Sequence, residues 1–247
     1  MPPAEKSMPS PTPNRLALID IARTLALLGM IAFHFRFDLV IFGHLPPQTT
    51  ATAFFYWHAR LVAGAFLFLA GLSLWLAHGE GVRWPAFWRR QAILITAAAL
   101  VSLATFFALP EAWIFFGILH SIALGSLLSL PFLRLPAALT LASGAAIMIG
   151  ATVLPPILEW NHPGLRWIGL QTLPTNTMDL EPLFPWFGVL LIGLGFGRLM
   201  RPIWPGLHLP DRPITRALAW PGQRSLAIYL LHQPFLMGLI WTCGQLR

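Results

Sequence analysis

The stretch Arg15–Asp38, RLALIDIARTLALLGMIAFHFRFD, decides the fold. Its apolar middle is long enough to cross a bilayer, which needs roughly 20 mostly apolar residues. Asp20 and Arg23 are three residues apart on one helical face and can neutralise each other, and His34 and Asp38, four apart, can do the same. Because ionisable side chains inside a membrane are costly, they mark functional sites by default. We therefore expect this helix to carry much of the function.

The composition is that of a membrane protein. Of 247 residues, 56% are hydrophobic and 10% are charged, whereas about 25% are charged in a typical soluble domain. The net charge of +7 is explained by arginines in cytoplasmic loops rather than by nucleic-acid binding, which we do not expect. The single cysteine, Cys243, excludes an internal disulfide. Residues 1–14 are polar and Pro-rich, which predicts a disordered cytoplasmic tail before one transmembrane domain at 15–247.

The hydrophobic pattern predicts an all-α bundle of about seven membrane-spanning helices. Arginines cluster in alternate connections, and an N-terminus in the cytoplasm places every arginine-rich connection on that side. Two long connections, 38–53 and 155–182, then lie outside, and the second is expected to cap an outer cavity or to dip into the membrane. The predicted spans are 16–37, 54–77, 92–109, 114–133, 136–154, 183–200 and 225–243.

The polar residues separate by depth in this arrangement. At about 1.5 Å per residue, His34 lies roughly 16 Å beyond Arg23 along the first helix. His58, Arg60 and His120 belong to spans that enter from outside, so they are expected near His34 and Asp38 in the outer half. His232 is expected nearer the middle of the membrane. The cytoplasmic end forms an arginine rim of Arg15, Arg23, Arg89, Arg90, Arg198 and Arg224.

This separation suggests transfer of an activated group across the membrane. Guanidinium groups bind phosphate bidentately, so the rim suits a phosphate-bearing donor. A histidine oriented by a carboxylate suits general-base chemistry on a hydroxyl or an amine. The chain contains no zinc-ligand spacing, and no metal is expected.

Five blocks of sequence resemble a known family. The first runs from Arg15 to His34 as R-x4-D-x2-R-x6-M-x3-H. The others resemble that family's F-x-F-x-x-G-x-S, G-I-L-H, P-W-x-G…G-x-x-x-G-R and R-S-L-x-x-Y-x-x-H segments, at Phe66–Ser73, Gly117–His120, Pro185–Arg198 and Arg224–His232. In this order, the blocks resemble the heparan-alpha-glucosaminide N-acetyltransferase catalytic-domain family, within the broader transmembrane acyltransferases. The chain resembles a small bacterial member, which implies the bacterial inner membrane.

The resemblance implies acetyl-CoA as co-substrate, bound from the cytoplasm, and an amino sugar or other glycan as acceptor. His34 occupies the position of the proposed catalytic histidine of the broader group, while His44 and His58 stay open as alternatives. The expected catalytic residues are His34, Asp38 and His120. The expected donor-binding residues are Arg15, Arg23, Arg198, Arg224 and His232, and the expected acceptor-binding residues are His58 and Arg60.

Two other functions remain open at the level of the sequence. In a proton-coupled transporter, His34, Asp38, His120 and Asp20 would form a proton relay. The odd number of spans and the lack of an inverted repeat weigh against this hypothesis. A non-catalytic membrane protein would use the same polar residues to hold helices together. Whether the chain forms a homo-oligomer is also left open.

Overall fold

The computed structural model describes residues 16–245, and 76% of this part of the chain is helical. Its only strand-like feature is one isolated bridge, between Phe116 and Leu180. The all-α prediction is therefore confirmed. The helices are α1 Ala17–Ile41, α2 Ala53–His78, α3 Trp84–Ala108, α4 Ile118–Leu128, α5 Ala137–Val153, α6 Pro155–Leu158, α7 Leu183–Leu199, α8 Pro213–Gln223 and α9 Ser225–Gln245.

A helix stands at each of the seven predicted spans, but they differ in length. Helices α1, α2, α3 and α9 are long and apolar enough to cross a membrane. Helices α4, α5 and α7 are apolar but have only 11, 17 and 17 residues. The number of seven crossings and the cytoplasmic N-terminus stay predictions. Helix α4 is shorter than expected because the chain before Ile118 pairs with residues 180–181 instead of continuing the helix.

Helix α7 is the centre of the bundle and packs along both α2 and α5. Leu190, Leu191 and Leu194 on this helix are fully buried. The contact with α2 is close because glycines face backbone carbonyls across it. A Cβ atom would lie 1.9 Å from the Leu190 carbonyl oxygen if built on Gly71, and 2.0 Å from the Phe68 carbonyl oxygen if built on Gly193. Gly71 and Gly193 therefore allow α2 and α7 to pack closely.

The sequence did not predict helix α8, which lies in the connection assigned to residues 201–224. It is short and amphipathic, and its buried residues Ala219 and Gly222 pack against α1. The Thr24 hydroxyl donates a hydrogen bond to the Leu218 carbonyl (2.7 Å) and accepts one from the Gly222 amide (2.9 Å). Through these bonds, α8 holds the beginning of α9 beside the N-terminal half of α1.

Candidate active site

Arginines line a cavity of about 510 Å³ between α1, α2, α3, α4 and the α8–α9 junction, which we call the arginine cavity. Its basic residues are Arg23, Arg89 and Arg90, and its walls are mostly apolar. Arg90 lies near enough to Arg23 for the two positive charges to repel each other. Such a surface attracts anions. The residues that line it are Arg23, Phe66, Leu69, Ala70, Ser73, Ala86, Arg89, Arg90, Ile93, Leu94, Ile118, Leu119, Ile122, Gly222, Gln223, Ser225, Leu226 and Tyr229.

The expected ion pair between Asp20 and Arg23 is confirmed. The Arg23 guanidinium donates to Asp20 Oδ1 at 2.6 Å and to the Ser73 hydroxyl at 2.5 Å. Asp20 is 1% exposed. Removal of Arg23 would therefore leave a buried carboxylate without its main counter-charge, which is strongly destabilising. Arg23 supports the helix packing as well as lining the cavity.

His34 lines a second cavity, of about 220 Å³, which we call the histidine cavity. It lies between α1, α2, the start of α4, α9 and the segment 178–181. That segment is hydrogen-bonded to α4 and to the chain before it: Met178 N–H donates to Ala112 O, Glu181 N–H to Phe116 O, and the Ser121 hydroxyl to the Glu181 carbonyl. The long connection 155–182 thus supplies one wall of the cavity.

His34 pairs with a second histidine rather than with a carboxylate. Its ring centroid lies 4.8 Å from that of His232 on α9. His232 Nδ1 donates to the Tyr229 carbonyl at 2.5 Å, because a carbonyl can only accept. This leaves a lone pair on Nε2 of neutral His232. That nitrogen and His34 Nδ1 are buried and have no hydrogen-bond partner within residues 16–245.

The expected pairing of His34 with Asp38 is wrong. Asp38 is fully buried, and its Oδ1 accepts a hydrogen bond from Gln233 Nε2 at 2.7 Å. Its Oδ2 has no partner in the described chain. The spacing of four residues allowed the pair, but the amide of Gln233 on α9 competes for the carboxylate. Asp38 therefore joins α1 to α9 and does not orient the imidazole.

Two carboxylates from the segment 178–181, Asp179 and Glu181, line the histidine cavity. Asp179 Oδ2 accepts a hydrogen bond from the Ile118 amide, at the N-terminus of α4 (3.4 Å). Burial raises the pKa of Asp179 to about 6, against the opposing effect of this bond. Burial and the Asp179 carboxylate raise the pKa of Glu181 well above its usual value, although Arg60 acts in the opposite direction. The Asp179 and Glu181 carboxyls therefore do not readily carry two negative charges together. A cation in the cavity would favour the ionised form of both.

The two cavities share a wall. Phe66, Ile118 and Tyr229 line both of them. A linear molecule whose anionic end lies at the arginines would extend toward this wall. Arg23 and His34 are eleven residues apart on α1, which is about 16 Å along a helix.

The structure places His120 away from the histidine cavity. Its Nδ1 accepts a hydrogen bond from the Gly117 amide, and its Nε2 lies 3.2 Å from the Ser102 hydroxyl. The Ser102 hydroxyl donates its hydrogen to the Ile114 carbonyl. In the bond between Ser102 and His120, the imidazole Nε2–H is therefore the donor. Both ring nitrogens are thus occupied in joining α3 to the start of α4.

The two expected acceptor-binding residues differ in position. His58 Nε2 lies 3.0 Å from the Gly29 carbonyl, and its ring packs between Phe33 and Phe54, so it joins α2 to α1. Arg60 lies over the rings of Tyr56 and Trp186 at 4.9 and 5.7 Å. Its charge acts on Glu181, so only Arg60 of the two acts on the histidine cavity.

Of the four expected donor-binding residues that the structure describes, Arg23 alone lines the arginine cavity. Arg198 donates to the Leu133 and Leu135 carbonyls (3.2 and 2.7 Å). Arg224 is exposed, with its guanidinium 4.5 Å from the centre of the Trp220 ring. His232 lies beside His34. Arg15 lies outside the described residues.

Comparison with known families identifies the chain. The family model described as "Heparan-alpha-glucosaminide N-acetyltransferase, catalytic" matches residues 15–234, which is most of the chain. The chain belongs to this family. Comparisons with curated proteins and with solved structures gave no match. With its apolar helices, this membership makes the chain an integral membrane protein of an acetyltransferase family.

In this acetyltransferase-family chain, several site residues were missed by the sequence reasoning. Arg89 and Arg90 were placed on the rim but not in the donor site. Asp179 and Glu181 were not among the expected site residues, and Tyr229 was only part of a motif. A signal did exist for the two carboxylates, since they lie in a long connection that was expected to cap a cavity. No spacing rule predicts which arginines face inward.

Proposed function

We propose that the chain transfers an acetyl group from acetyl-CoA to an amine of an amino sugar or related glycan. The observation that carries this proposal is the shared wall of Phe66, Ile118 and Tyr229 between the two cavities. One cavity supplies cations for the donor, and the other supplies a histidine and two carboxylates for the acceptor. In the bacterial inner membrane, with the N-terminus inside, the arginine cavity faces the cytoplasm, where acetyl-CoA is made.

The arginine cavity fits the donor. Arg23, Arg89 and Arg90 would hold the phosphates of CoA, because guanidinium groups bind phosphate through paired, charge-assisted hydrogen bonds. The apolar wall formed by Phe66, Leu69, Ala70 and Ile122 suits an extended pantetheine arm. The thioester would then lie at the shared wall.

The histidine cavity fits an acceptor that arrives as an ammonium ion. Asp179 and Glu181 would hold this cation and take one proton from it, giving the neutral amine that can attack. His34 would then remove the second proton as general base. A hydroxyl acceptor brings no charge to balance the buried carboxylates, so this cavity favours N-acetylation over O-acetylation.

Arg90→Gln is expected to weaken donor binding and so to test this proposal. It is a cleaner test than a change at Arg23, because Arg90 has no ion pair within residues 16–245. Loss of a charge-assisted hydrogen bond, worth about 1.5–3 kcal/mol, should raise the Kd for acetyl-CoA about tenfold or more. Calorimetry on the protein in lipid nanodiscs measures this Kd. The difference from wild type should shrink at high salt, because ions screen the phosphate–guanidinium attraction.

Arg216→Gln is the matched control for this experiment. Arg216 is an exposed arginine on α8 that pairs with Asp211 at the surface and does not line the cavity. Its replacement removes the same charge and should leave the Kd unchanged. If wild-type protein does not bind acetyl-CoA, or if both variants bind it equally well, the proposed donor site is wrong.

The pH–rate profile of amine acetylation should have an acidic limb that is controlled by Asp179. Burial raises the pKa of Asp179 to about 6, so below that pH the carboxyl is neutral and can neither hold nor deprotonate an ammonium ion. Acetylation of glucosamine by [14C]acetyl-CoA should therefore fall as the pH decreases through about 6 and recover above it. In Asp179→Asn, the amide oxygen can still accept from the Ile118 amide, but this limb should be lost together with most of the activity.

The comparison of the pH–rate profiles of wild type and Asp179→Asn is the decisive part of the experiment. Glu111→Gln provides the control, because Glu111 precedes α4 in the chain and does not line either cavity. An acidic limb that is identical in Asp179→Asn and wild type would exclude Asp179 as its source.

A further inference from the structure

One polar group on the shared wall is not used by the acetyl transfer described above. We infer that Tyr229 is a catalytic residue whose phenol donates a hydrogen bond to the carbonyl oxygen of the thioester as that oxygen becomes negative. This inference rests on the proposed function, because it requires the thioester to lie at the shared wall of the two cavities.

Tyr229 lies on the shared wall, where one side chain can contact both substrates. It lines the arginine cavity and the histidine cavity. Its ring centroid is 5.7 Å from that of His232, which is 4.8 Å from His34. It also lies within electrostatic range of Asp179 and Glu181. The phenol is therefore one ring away from the proposed base and beside the proposed ammonium site.

The Tyr229 hydroxyl has no hydrogen-bond partner within residues 16–245. Tyr229 is partly exposed and lines both cavities. Tyrosine hydroxyls in protein interiors usually find a partner. The carbonyl oxygen of a substrate at the shared wall would supply this partner, because a phenol can donate to it.

The other residues of the shared wall cannot perform this task. Phe66 and Ile118 have apolar side chains. The Ile118 amide, which could have served as a donor, is directed to Asp179. Among the residues that line both cavities, Tyr229 alone offers a free donor.

The step balances with the groups already described. The neutral amine attacks the thioester carbonyl carbon and forms a C–N bond, and the C=O electron pair moves to oxygen, where Tyr229 donates its hydrogen bond. His34 takes the remaining ammonium proton from nitrogen. The oxygen pair then re-forms the C=O bond, the C–S bond breaks, and the sulfur leaves with its electron pair. His34 gives its proton to the sulfur, so the products are the amide and the free thiol.

Tyr229→Phe is expected to lower kcat for glucosamine acetylation about 10²–10³-fold, the usual effect of removing one oxyanion donor. The Kd for acetyl-CoA should change much less, because the ring and its packing are kept and a hydrogen bond to the neutral carbonyl is weaker than one to the negative oxygen. The chain has two tyrosines, and Tyr56→Phe is the matched control. Tyr56 is exposed on α2 and should tolerate the change without loss of kcat. Equal turnover in the two variants would overturn the inference.

A second measurement does not depend on the acceptor. In the Tyr56→Phe protein, Tyr229 is the only tyrosine, so biosynthetic incorporation of 3,5-difluorotyrosine labels this position alone. Acetyl-CoA should shift its 19F resonance more than CoA does, since CoA has no thioester carbonyl. Equal shifts by two ligands that both bind in calorimetry would overturn the role of Tyr229 and leave the donor site intact. Failure of both ligands to bind would instead overturn the proposed function, and the inference with it.

Discussion

His34→Ala is expected to abolish acetyl transfer while leaving acetyl-CoA binding nearly unchanged. His34 lines the histidine cavity and is absent from the arginine cavity, so its loss removes the base without altering the phosphate site. General-base catalysis typically contributes about 10²–10⁴-fold to the rate, and turnover should fall by that factor. Transfer of label from [14C]acetyl-CoA to glucosamine gives the rate, and calorimetry gives the Kd.

His44→Ala is the control for this prediction. His44 is an exposed histidine in the connection after α1, where the sequence left a second candidate for the base. It lies outside the histidine cavity, and its removal should leave turnover unchanged. Loss of turnover in His44→Ala with normal turnover in His34→Ala would assign the chemistry to the other histidine. Equal loss of folded protein in both variants would show that the two histidines are needed for folding rather than for catalysis.

The His34→Ala variant can also separate direct transfer of the acetyl group to the amine from a two-step route through an acyl-histidine. Rapid mixing of wild-type protein with labelled acetyl-CoA and no acceptor leaves label on the protein only if the acetyl group passes through an acyl-histidine. We expect no label, because the base and nucleophile roles are divided between His34 and the amine in the proposed mechanism. Label that appears in wild type and disappears in His34→Ala would establish the two-step route instead.

Gly193→Ala is expected to have the largest effect on folding. A Cβ atom at this position would lie 2.0 Å from the Phe68 carbonyl oxygen, and this neighbour is backbone. Helices α2 and α7 would have to separate, which also displaces Phe66 on the shared wall. The expected cost is about 3 kcal/mol, at the upper end of the range for overpacking. Thermal unfolding in detergent and the yield of monodisperse protein measure this cost.

Gly238→Ala is the matched control, because Gly238 also lies within a helix, α9, and a Cβ there meets nothing within 4 Å. Alanine has a higher helix propensity than glycine, so this variant should be at least as stable as wild type. If Gly193→Ala unfolds at the same temperature as Gly238→Ala, the close approach of α2 and α7 is not required for stability.

Local features of the site were predictable from the sequence. The pair of Asp20 and Arg23 is set by a spacing of three residues on one helix, and the structure contains it. Asp38 shows the limit of this reasoning. Its partner, Gln233, is 195 residues away in the chain, and no local spacing reveals a contact made by packing α1 against α9. The same holds for His34 and His232.

By itself, the sequence determined the membrane class, the positions of the apolar helices and the family, because these depend on composition, period and motif order. Only the tertiary structure decided which arginines line the arginine cavity and that Asp179 and Glu181 line the same cavity as His34. Helix rotation and the path of the connection 155–182 fix those positions. Both result from packing against α7 and the start of α4, between residues far apart in the chain.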